Sequence, residues 1–343
     1  MTLRLHLGTY ANNGGAGLHP LRLSPDGVWV LGKGNAKALN ASFGTYSDRH
    51  DLYYFVDEQA DGALSVLRYD GDDWEAMARV STGGAEPCYV ALDHDQRCLA
   101  VANYGSGSIA LFPLDDRTGV PIGPAAVRGN IGSGPVADRQ DGPHAHCVCF
   151  DRNRRWLYHV DLGTDQIIAH PFDAASGFTG KPAVAFQAPP GSGPRHVVFH
   201  PILPLALLAS ELASTLTVLR ASGAKWSSAQ VVSALPAGFD GHSLAGHVSL
   251  NSAGDRVYVT NRGHDSVAVF AWDTVGTLRP MQHVPSGGAS PRTFVLLEAE
   301  RRLVLANEQG CNVTTFAVQA DGTLSLLDGN VAAPGAVFLM VAS

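Results

Sequence analysis

The fold is decided by the stretch PRHVVFHP at residues 194–201 and its continuation LALLASEL at residues 205–212. β-Branched and aromatic residues on both sides of a proline-containing turn predict two neighbouring strands. The same succession of an apolar strand, a turn and a second apolar strand recurs along the chain. The further copies begin at Pro87, Ala145, Ala245 and Pro291. An internal repeat sets the architecture, so it is interpreted before any other signal.

The repeat has a period of about 50 residues, measured between the polar residues that close the second strands. The unit ending at Thr9 lacks a first strand, which residues 334–341 at the other end of the chain supply. Seven units with room for four short strands each predict an all-β, seven-bladed β-propeller. Residues 1–343 then form a single domain, closed by pairing of the N- and C-terminal strands. The closing residues are Thr9, Asp57, Asn103, Asp161, Glu211, Asn261 and Asn307.

The composition excludes several classes of function. The chain of 343 residues has a formal net charge of −7 and no basic stripe, which argues against a nucleic-acid partner. It has no run of ~18 apolar residues that could cross a membrane. Residues 1–6 enter a strand without the apolar segment of a secretory signal. The five cysteines form no CxxC pair and are expected to be reduced, which favours a cytoplasmic protein.

Tandem glycines mark the loops that return from one unit to the next, as at residues 191–193 and 286–288. Neither loop precedes a helix or ends in GKS or GKT, so no nucleotide-binding loop is predicted. We therefore expect no cofactor.

Strand order gathers polar side chains at one end of the predicted propeller. In an antiparallel pair, the start of the first strand lies beside the end of the second. If each first strand flanks the central channel, these ends form one channel mouth, which we call the rim. A concave, polar rim is where a ligand site is expected. Its predicted residues are His146, Arg195, Glu211, Arg262, His264, Arg292, Asn307 and Glu308, with Arg139 and His144 on the loop above.

Each of these residues also has a purely structural interpretation. The closing residues Asn103, Asp161 and Asn261 are expected to cap the following turn. Glu211 is one methylene too long for that role, which favours a functional one. Arginines on the rim could form salt bridges, but two arginines with a histidine favour an anion-binding pocket. His144 and His146 could bind a metal, but no third ligand lies at tight spacing, so no metal is predicted.

Five linked motifs resemble the seven-bladed lactonase family that contains the propeller-type 6-phosphogluconolactonase and the fungal carboxy-cis,cis-muconate lactonizing enzyme. The resemblance extends over essentially the whole chain and implies ester chemistry on a small ring. The motifs are RQDGPHAH at 139–146, GPRH at 193–196, ELAST at 211–215, NRGHDS at 261–266 and GASPR at 288–292.

The resemblance implies roles for the rim residues. Arg195 or Arg262 would polarise the lactone carbonyl as it becomes an oxyanion, and Glu211 or His146 would act as the base for water. A second cationic subsite would use Arg292, His144 and Arg139, with His264 and Asn307 as further substrate-binding residues. No serine lies in a GxSxG elbow, so direct attack by water is predicted rather than an acyl-enzyme.

The expected partner is a small, anionic lactone, with 6-phosphoglucono-1,5-lactone the first candidate. An unphosphorylated aldonolactone and a muconate-type lactonization are alternatives that would use the same residues. A non-catalytic binding scaffold is the rival class, because fold alone does not specify function. Paired cations, a carboxylate and histidines on the rim favour an enzyme over a scaffold. A monomer or a weak homodimer is expected.

Overall fold

The computed structural model describes residues 3–342, which form seven antiparallel sheets and a single 3-10 turn at Ala11–Asn13. We number the sheets from the first one that is complete in sequence, so the sheet containing both chain ends is sheet 7. No helix within the described residues is long and apolar enough to cross a membrane.

The first half of the chain contributes sixteen strands to the described structure. Sheet 7 receives β1 (Arg4–Thr9), β2 (Leu18–Leu23) and β3 (Trp29–Leu31). Sheet 1 contains β4 (Gly44–Ser47), β5 (Leu52–Asp57), β6 (Ala63–Tyr69) and β7 (Trp74–Ser81). Sheet 2 contains β8 (Pro87–Leu92), β9 (Cys98–Asn103), β10 (Ser108–Pro113) and β11 (Ala126–Gly129). Sheet 3 contains β12 (Ala145–Phe150), β13 (Trp156–Asp161), β14 (Gln166–Asp173), β15 (Gly177–Phe178) and β16 (Ala183–Gln187).

The second half continues the same order. Sheet 4 contains β17 (Pro194–Phe199), β18 (Leu205–Ser210), β19 (Thr215–Ser222) and β20 (Lys225–Ser233). Sheet 5 contains β21 (Leu244–Leu250), β22 (Arg256–Arg262), β23 (Ser266–Trp272) and β24 (Leu278–Pro285). Sheet 6 contains β25 (Pro291–Leu297), β26 (Arg302–Asn307), β27 (Asn312–Val318), β28 (Leu324–Leu326) and β29 (Val331–Ala332). The last strand, β30 (Ala336–Val341), joins sheet 7.

The chain divides into two compact units. The first unit comprises residues 3–36, 196–221 and 227–342, and includes sheets 5, 6 and 7. The second comprises residues 37–195 and 222–226, and includes sheets 1, 2 and 3. The chain passes between the units after residue 36 and then inside β17, inside β19 and inside β20. A single domain over the whole chain therefore stays a prediction.

Sheet 7 confirms the predicted pairing of the two chain ends. Strand β1 pairs with β30, with Leu5 opposite Val341 and Leu7 opposite Leu339. Leu5, Leu7 and Leu339 are buried in one apolar cluster of the first unit, so pairing and packing agree. Seven consecutive sheets, one of them completed by the C-terminal strand, are the strand organisation of a seven-bladed β-propeller, as the sequence predicts.

The strand register confirms for sheets 2, 3, 5 and 6 that the start of the first strand lies beside the end of the second. In these four sheets it also reveals a β-bulge directly after the residue that pairs with the closing residue. A bulge leaves its extra residue out of the ladder and changes the direction of its side chain. The bulged residues are Cys88, His146 and Arg292, with Gly246 and His247 in sheet 5. The pairs before the bulges are Pro87 with Asn103, Ala145 with Asp161, Ala245 with Asn261 and Pro291 with Asn307.

The same register corrects the position predicted for Glu211. A closing residue pairs with the first residue of the third strand, as Asn261 pairs with Ser266. In sheet 4 the residue in that position is Ser210, which pairs with Thr215. Glu211 is therefore the residue after the closing position, which Arg262 occupies in sheet 5. The comparison of Glu211 with a turn-capping residue was therefore wrong, because Glu211 does not occupy the capping position.

The predicted turn caps are confirmed only in part. Asp161 accepts backbone hydrogen bonds at Oδ1 from His144, Gly163 and Thr164, at 2.9, 3.0 and 3.1 Å. Asn261 instead donates its amide to Ala234 O at 2.9 Å, and Asn103 donates to Thr82 O at 3.4 Å. The two asparagines thus bind the loop that enters their own sheet from the preceding one, because an amide can donate where a carboxylate cannot.

Two histidines stack inside sheet 3 of the second unit. The rings of His159 and His170 lie 5.9 Å apart between centroids, and both are buried. Burial, with smaller contributions from His159 and Arg128, lowers the pKa of His170 from 6.5 to about 3. Between those pH values the unfolded chain binds a proton that the folded chain does not.

This difference predicts a loss of stability as the pH falls from 6.5 towards 3. The loss approaches about 1.4 kcal/mol per pH unit for one such histidine, and stability is unaffected above pH 6.5. In urea denaturation between pH 7 and pH 4.5, H170Q should lose less stability than the wild type. H94Q, at an exposed histidine, is the control and should follow the wild type. Equal pH slopes for H170Q and the wild type would contradict the assignment.

Candidate active site

In the first unit, Glu211 and Arg262 form a buried ion pair. Glu211 Oε2 lies 2.8 Å from Arg262 Nη2, and only 1% of the Glu211 side chain and 12% of the Arg262 side chain are exposed. Arg262 Nη2 also donates to Ala245 O at 3.2 Å, and Ala245 N donates to Glu211 O at 3.1 Å. Ala245, in the first strand of sheet 5, is thus hydrogen-bonded both to the turn that carries the carboxylate and to the guanidinium that faces it.

The second arginine of the first unit is Arg292, the bulged residue of sheet 6. Its Nη1 lies 3.1 Å from Glu308 Oε2, its Nη2 donates to the Tyr10 hydroxyl at 2.6 Å, and its guanidinium carbon lies 5.1 Å from the centre of the Tyr10 ring. The arginine is therefore held by a carboxylate and a phenol. Its charge is shared with Glu308 before any ligand binds.

The remaining predicted residues of the first unit, His264 and Asn307, have protein partners. His264 Nδ1 lies 2.7 Å from Ser266 Oγ, and its ring packs edge-on against Phe239 at 4.6 Å between centroids. Asn307 is fully buried, and its amide donates to Thr314 Oγ1 at 3.1 Å. A substrate-binding role for either residue stays a prediction.

In the second unit, His146 and Arg195 are in direct contact. Arg195 Nη1 lies 2.5 Å from His146 Nε2, and the two side chains are 3% and 5% exposed, respectively. A guanidinium can only donate, so Nε2 is the acceptor and the proton of the neutral imidazole resides on Nδ1. Nδ1 lies 3.7 Å from Cys88 Sγ. The lone pair that a histidine base would use is therefore occupied by the arginine.

Tyr104 joins the other predicted residues of the second unit. Its ring stacks on His144 at 4.5 Å and meets His146 edge-on at 5.4 Å between centroids. Its hydroxyl accepts from Arg139 Nη2 at 3.3 Å. His144 Nδ1 lies 3.0 Å from Tyr104 O, and Nε2 lies 3.1 Å from Asp141 Oδ1. Among residues 3–342, no group of three or more His, Cys, Asp or Glu side chains is placed to hold a metal ion.

Sequence reasoning missed the two tyrosines, Tyr10 and Tyr104. Each directly follows a closing residue, Thr9 or Asn103, and so stands in the position that Arg262 and Glu308 occupy in their own sheets. This position could have been compared across the repeat, as the closing residues were. The comparison would have selected the partners of Arg139 and Arg292.

A cavity of about 210 Å³ lies elsewhere in the first unit, at the opposite ends of sheets 5 and 6. It is bounded by the turns that join the first strand to the second in both sheets and by the turn between β27 and β28, and its lining includes none of the predicted residues. Its polar lining is formed by Asn251, Asp255, Arg256, Glu298, Arg301, Gln319 and Asp321.

The buried pair predicts a selective stability effect. R262M removes the guanidinium that faces the Glu211 carboxylate and should cost about 3 to 5 kcal/mol in urea denaturation. The double variant E211Q/R262M should recover part of this loss, because no carboxylate then remains buried opposite an apolar side chain. R49M, which breaks the more exposed pair of Arg49 with Asp116, is the control and should cost less than about 1 kcal/mol. A double variant less stable than R262M would contradict this account.

Comparisons with known proteins show the family of this chain. The chain matches the model of the family described as "Lactonase, 7-bladed beta-propeller" over residues 4–341. It is 31% identical to a Bacillus subtilis protein named 6-phosphogluconolactonase over 339 residues, which cover 96% of this chain and 95% of that protein.

Solved structures give the same result. A protein from Lactobacillus plantarum has 28% identity and a TM-score of 0.91, with all of both chains covered. The periplasmic gluconolactonase of Pseudomonas aeruginosa has 25% identity and a TM-score of 0.89, with 100% of this chain and 99% of that chain covered. The motifs, the seven sheets and the match over nearly the whole sequence agree: this chain belongs to the lactonase family of seven-bladed β-propellers and is a carboxylic-ester hydrolase.

Proposed function

We propose that the protein hydrolyses a sugar lactone, with 6-phosphoglucono-1,5-lactone as the first candidate, and that water attacks the ring carbonyl directly. The observation that supports this most is the buried pair of Glu211 and Arg262, with 2.8 Å between carboxylate and guanidinium. A carboxylate is a base for water, and a guanidinium is a donor for the oxygen that becomes negative.

The proposed reaction has two steps. Glu211 accepts a proton from water as the water oxygen bonds to the lactone carbonyl carbon, and the carbonyl oxygen becomes an oxyanion. Guanidinium N–H groups of Arg195 or Arg262 donate to that oxyanion. The intermediate then collapses, the bond between the carbonyl carbon and the ring oxygen breaks, and the ring oxygen receives the proton from Glu211. The product is the open hydroxy acid.

Between the two candidate bases, the contacts favour Glu211. His146 would have to give up the hydrogen bond from Arg195 to its Nε2 before that nitrogen could accept a proton from water. Its proposed role is to orient Arg195: a neutral imidazole accepting one N–H fixes the guanidinium plane without neutralising its charge. Glu211 is a carboxylate whose Oε2 faces the Arg262 guanidinium, and a carboxylate is a base for water.

The substrate group distant from the lactone carbonyl is proposed to bind at Arg292, with Arg139 and His144 as further candidates. A phosphate on this group is supported by the name of the Bacillus relative. The pairing of Arg292 with Glu308 favours the second candidate, an unphosphorylated aldonolactone, because a paired arginine offers less charge to a dianion. His264 and Asn307 remain proposed substrate-binding residues.

Hydrolysis of phosphorylated and plain glucono-1,5-lactone by pH-stat or NMR tests the proposal. The wild type should open one of them well above the spontaneous rate, and E211Q and R195A should each lose about 100-fold or more in kcat. The variants are the essential control, because lactones also open without an enzyme. If both variants match the wild type, the assignment of the site is wrong. R292A should lower kcat/KM for the phosphorylated lactone more than for the plain one if phosphate binds there.

Single-turnover kinetics tests direct attack by water. Opened product should not accumulate bound to the enzyme, because no serine or cysteine ester is formed in the proposed reaction. A burst together with a covalent adduct in mass spectrometry would instead establish an acyl-enzyme.

A cytoplasmic location and a monomer or weak homodimer are also proposed. The location is supported by the five free cysteines among the described residues, since reduced thiols are typical of reducing compartments. The Pseudomonas neighbour is described as periplasmic, so export is the alternative.

A further inference from the structure

A turn residue with positive φ recurs at one position of the repeat, four residues after the closing residue. In sheets 3, 4, 5 and 6 this residue is not glycine, although side chains rarely adopt this conformation. Its backbone carbonyl accepts the first hydrogen bond of the loop leaving its sheet, for example from Ala188 N to Asp165 O at 2.8 Å and from Ser286 N to Asp265 O at 2.9 Å. The φ angles are 58° for Asp165, 48° for Ser214, 53° for Asp265 and 49° for Cys311.

In the second unit, the side chain at this position binds the return loop as well. Asp165 is 2% exposed. Its Oδ2 accepts from Gly191 N at 2.7 Å, and its Oδ1 accepts from Gly193 N at 2.8 Å and from Ser192 Oγ at 3.3 Å. One buried carboxylate therefore fixes the three residues of the glycine loop. Pro194 and Arg195 follow immediately in the chain.

We propose that Asp165 is a positioning residue for Arg195. This inference rests on the proposed function, in which Arg195 is one of the two arginines that could donate to the oxyanion, and it takes Arg195 as that donor. One residue separates the last fixed backbone N–H, at Gly193, from the arginine, and it is Pro194 with its restricted φ. The start of β17 is thus held relative to the turn of sheet 3, which belongs to the same unit. Asp165 touches neither Arg195 nor a substrate, and it acts through the loop backbone.

Glycine at Gly191 and Gly193, with φ of 80° and 61°, lets both N–H groups point at the same carboxylate. Charged acceptors make stronger hydrogen bonds to backbone N–H groups than neutral ones do. A shift of about 1 Å in a catalytic group can cost on the order of 100-fold in rate. A loop with two glycines has the freedom to make such a shift, and the carboxylate removes that freedom.

The same arrangement in the first unit supplies a matched control. Asp265 Oδ1 accepts from Ser290 N at 2.8 Å, and Ser290 precedes Pro291 and Arg292. Asp265 therefore has the same relation to Arg292 as Asp165 has to Arg195. Sheet 4 uses a serine instead, and Ser214 Oγ donates to Ser243 O at 2.8 Å.

The experiment compares D165N with D265N in lactone hydrolysis. Asparagine tolerates the left-handed conformation, so the backbone cost does not change, but its amide NH₂ cannot accept the second N–H. D165N should lower kcat about tenfold with KM within about twofold, because Arg195 acts on the transition state. D265N should raise KM severalfold with kcat within about twofold, because Arg292 is proposed to bind substrate.

A double-mutant test separates positioning from a general loss of stability. In an R195K background, D165N should change kcat by less than about twofold, because the geometry it protects is already lost. Thermal denaturation shows whether D165N is folded, and D165S, which has the residue of sheet 4, replaces it if it is not. Wild-type kcat in the folded variant, or an undiminished loss in the R195K background, would overturn the proposal. Failure of the proposed function is distinct, because E211Q and R195A would then keep full activity.

Discussion

The antiparallel register of the first two strands in a sheet determines where the candidate side chains at its strand ends lie. Ala145 pairs with Asp161 and Pro291 pairs with Asn307, so the start of one strand lies beside the end of the next. A β-bulge then leaves the following residue out of the ladder and changes the direction of its side chain. A one-residue slip would move each of these side chains to the other face of its sheet. The apolar clusters between sheets resist such a slip, because it would expose them to water. Core packing and site geometry therefore depend on the same register.

Buried charge imposes the second constraint. The site contains ions that would be costly to bury without partners, and the described contacts supply partners of graded strength. Arg262 and Arg292 face carboxylates, whereas Arg195 donates to a neutral imidazole. The imidazole orients its arginine through that contact. Oxyanion stabilisation is proposed for Arg195 or Arg262, and substrate binding is proposed at Arg292.

Much of the fold and part of the site could be predicted from the sequence. The repeat predicts the strands and the pairing of β1 with β30. The contacts of Glu211 with Arg262 and of His146 with Arg195 agree with the repeat. The exact closing position in sheet 4 could not be predicted, because Ser210 and Glu211 are both polar and only hydrogen bonding distinguishes them. The hydrogen bonds from the asparagine amides to the return loops could not be predicted either, because residue type alone does not determine the direction of a side chain.

The central claim is that the paired residues Glu211 and Arg262 act on the same transition state. A double-mutant cycle on kcat for lactone hydrolysis tests it most directly, using E211Q, R262K and the double variant. If the claim is correct, the double variant loses much less than the product of the two single losses, because residues that act on one transition state are not additive. Strictly multiplicative losses would mean that the two residues act independently, and would contradict the account.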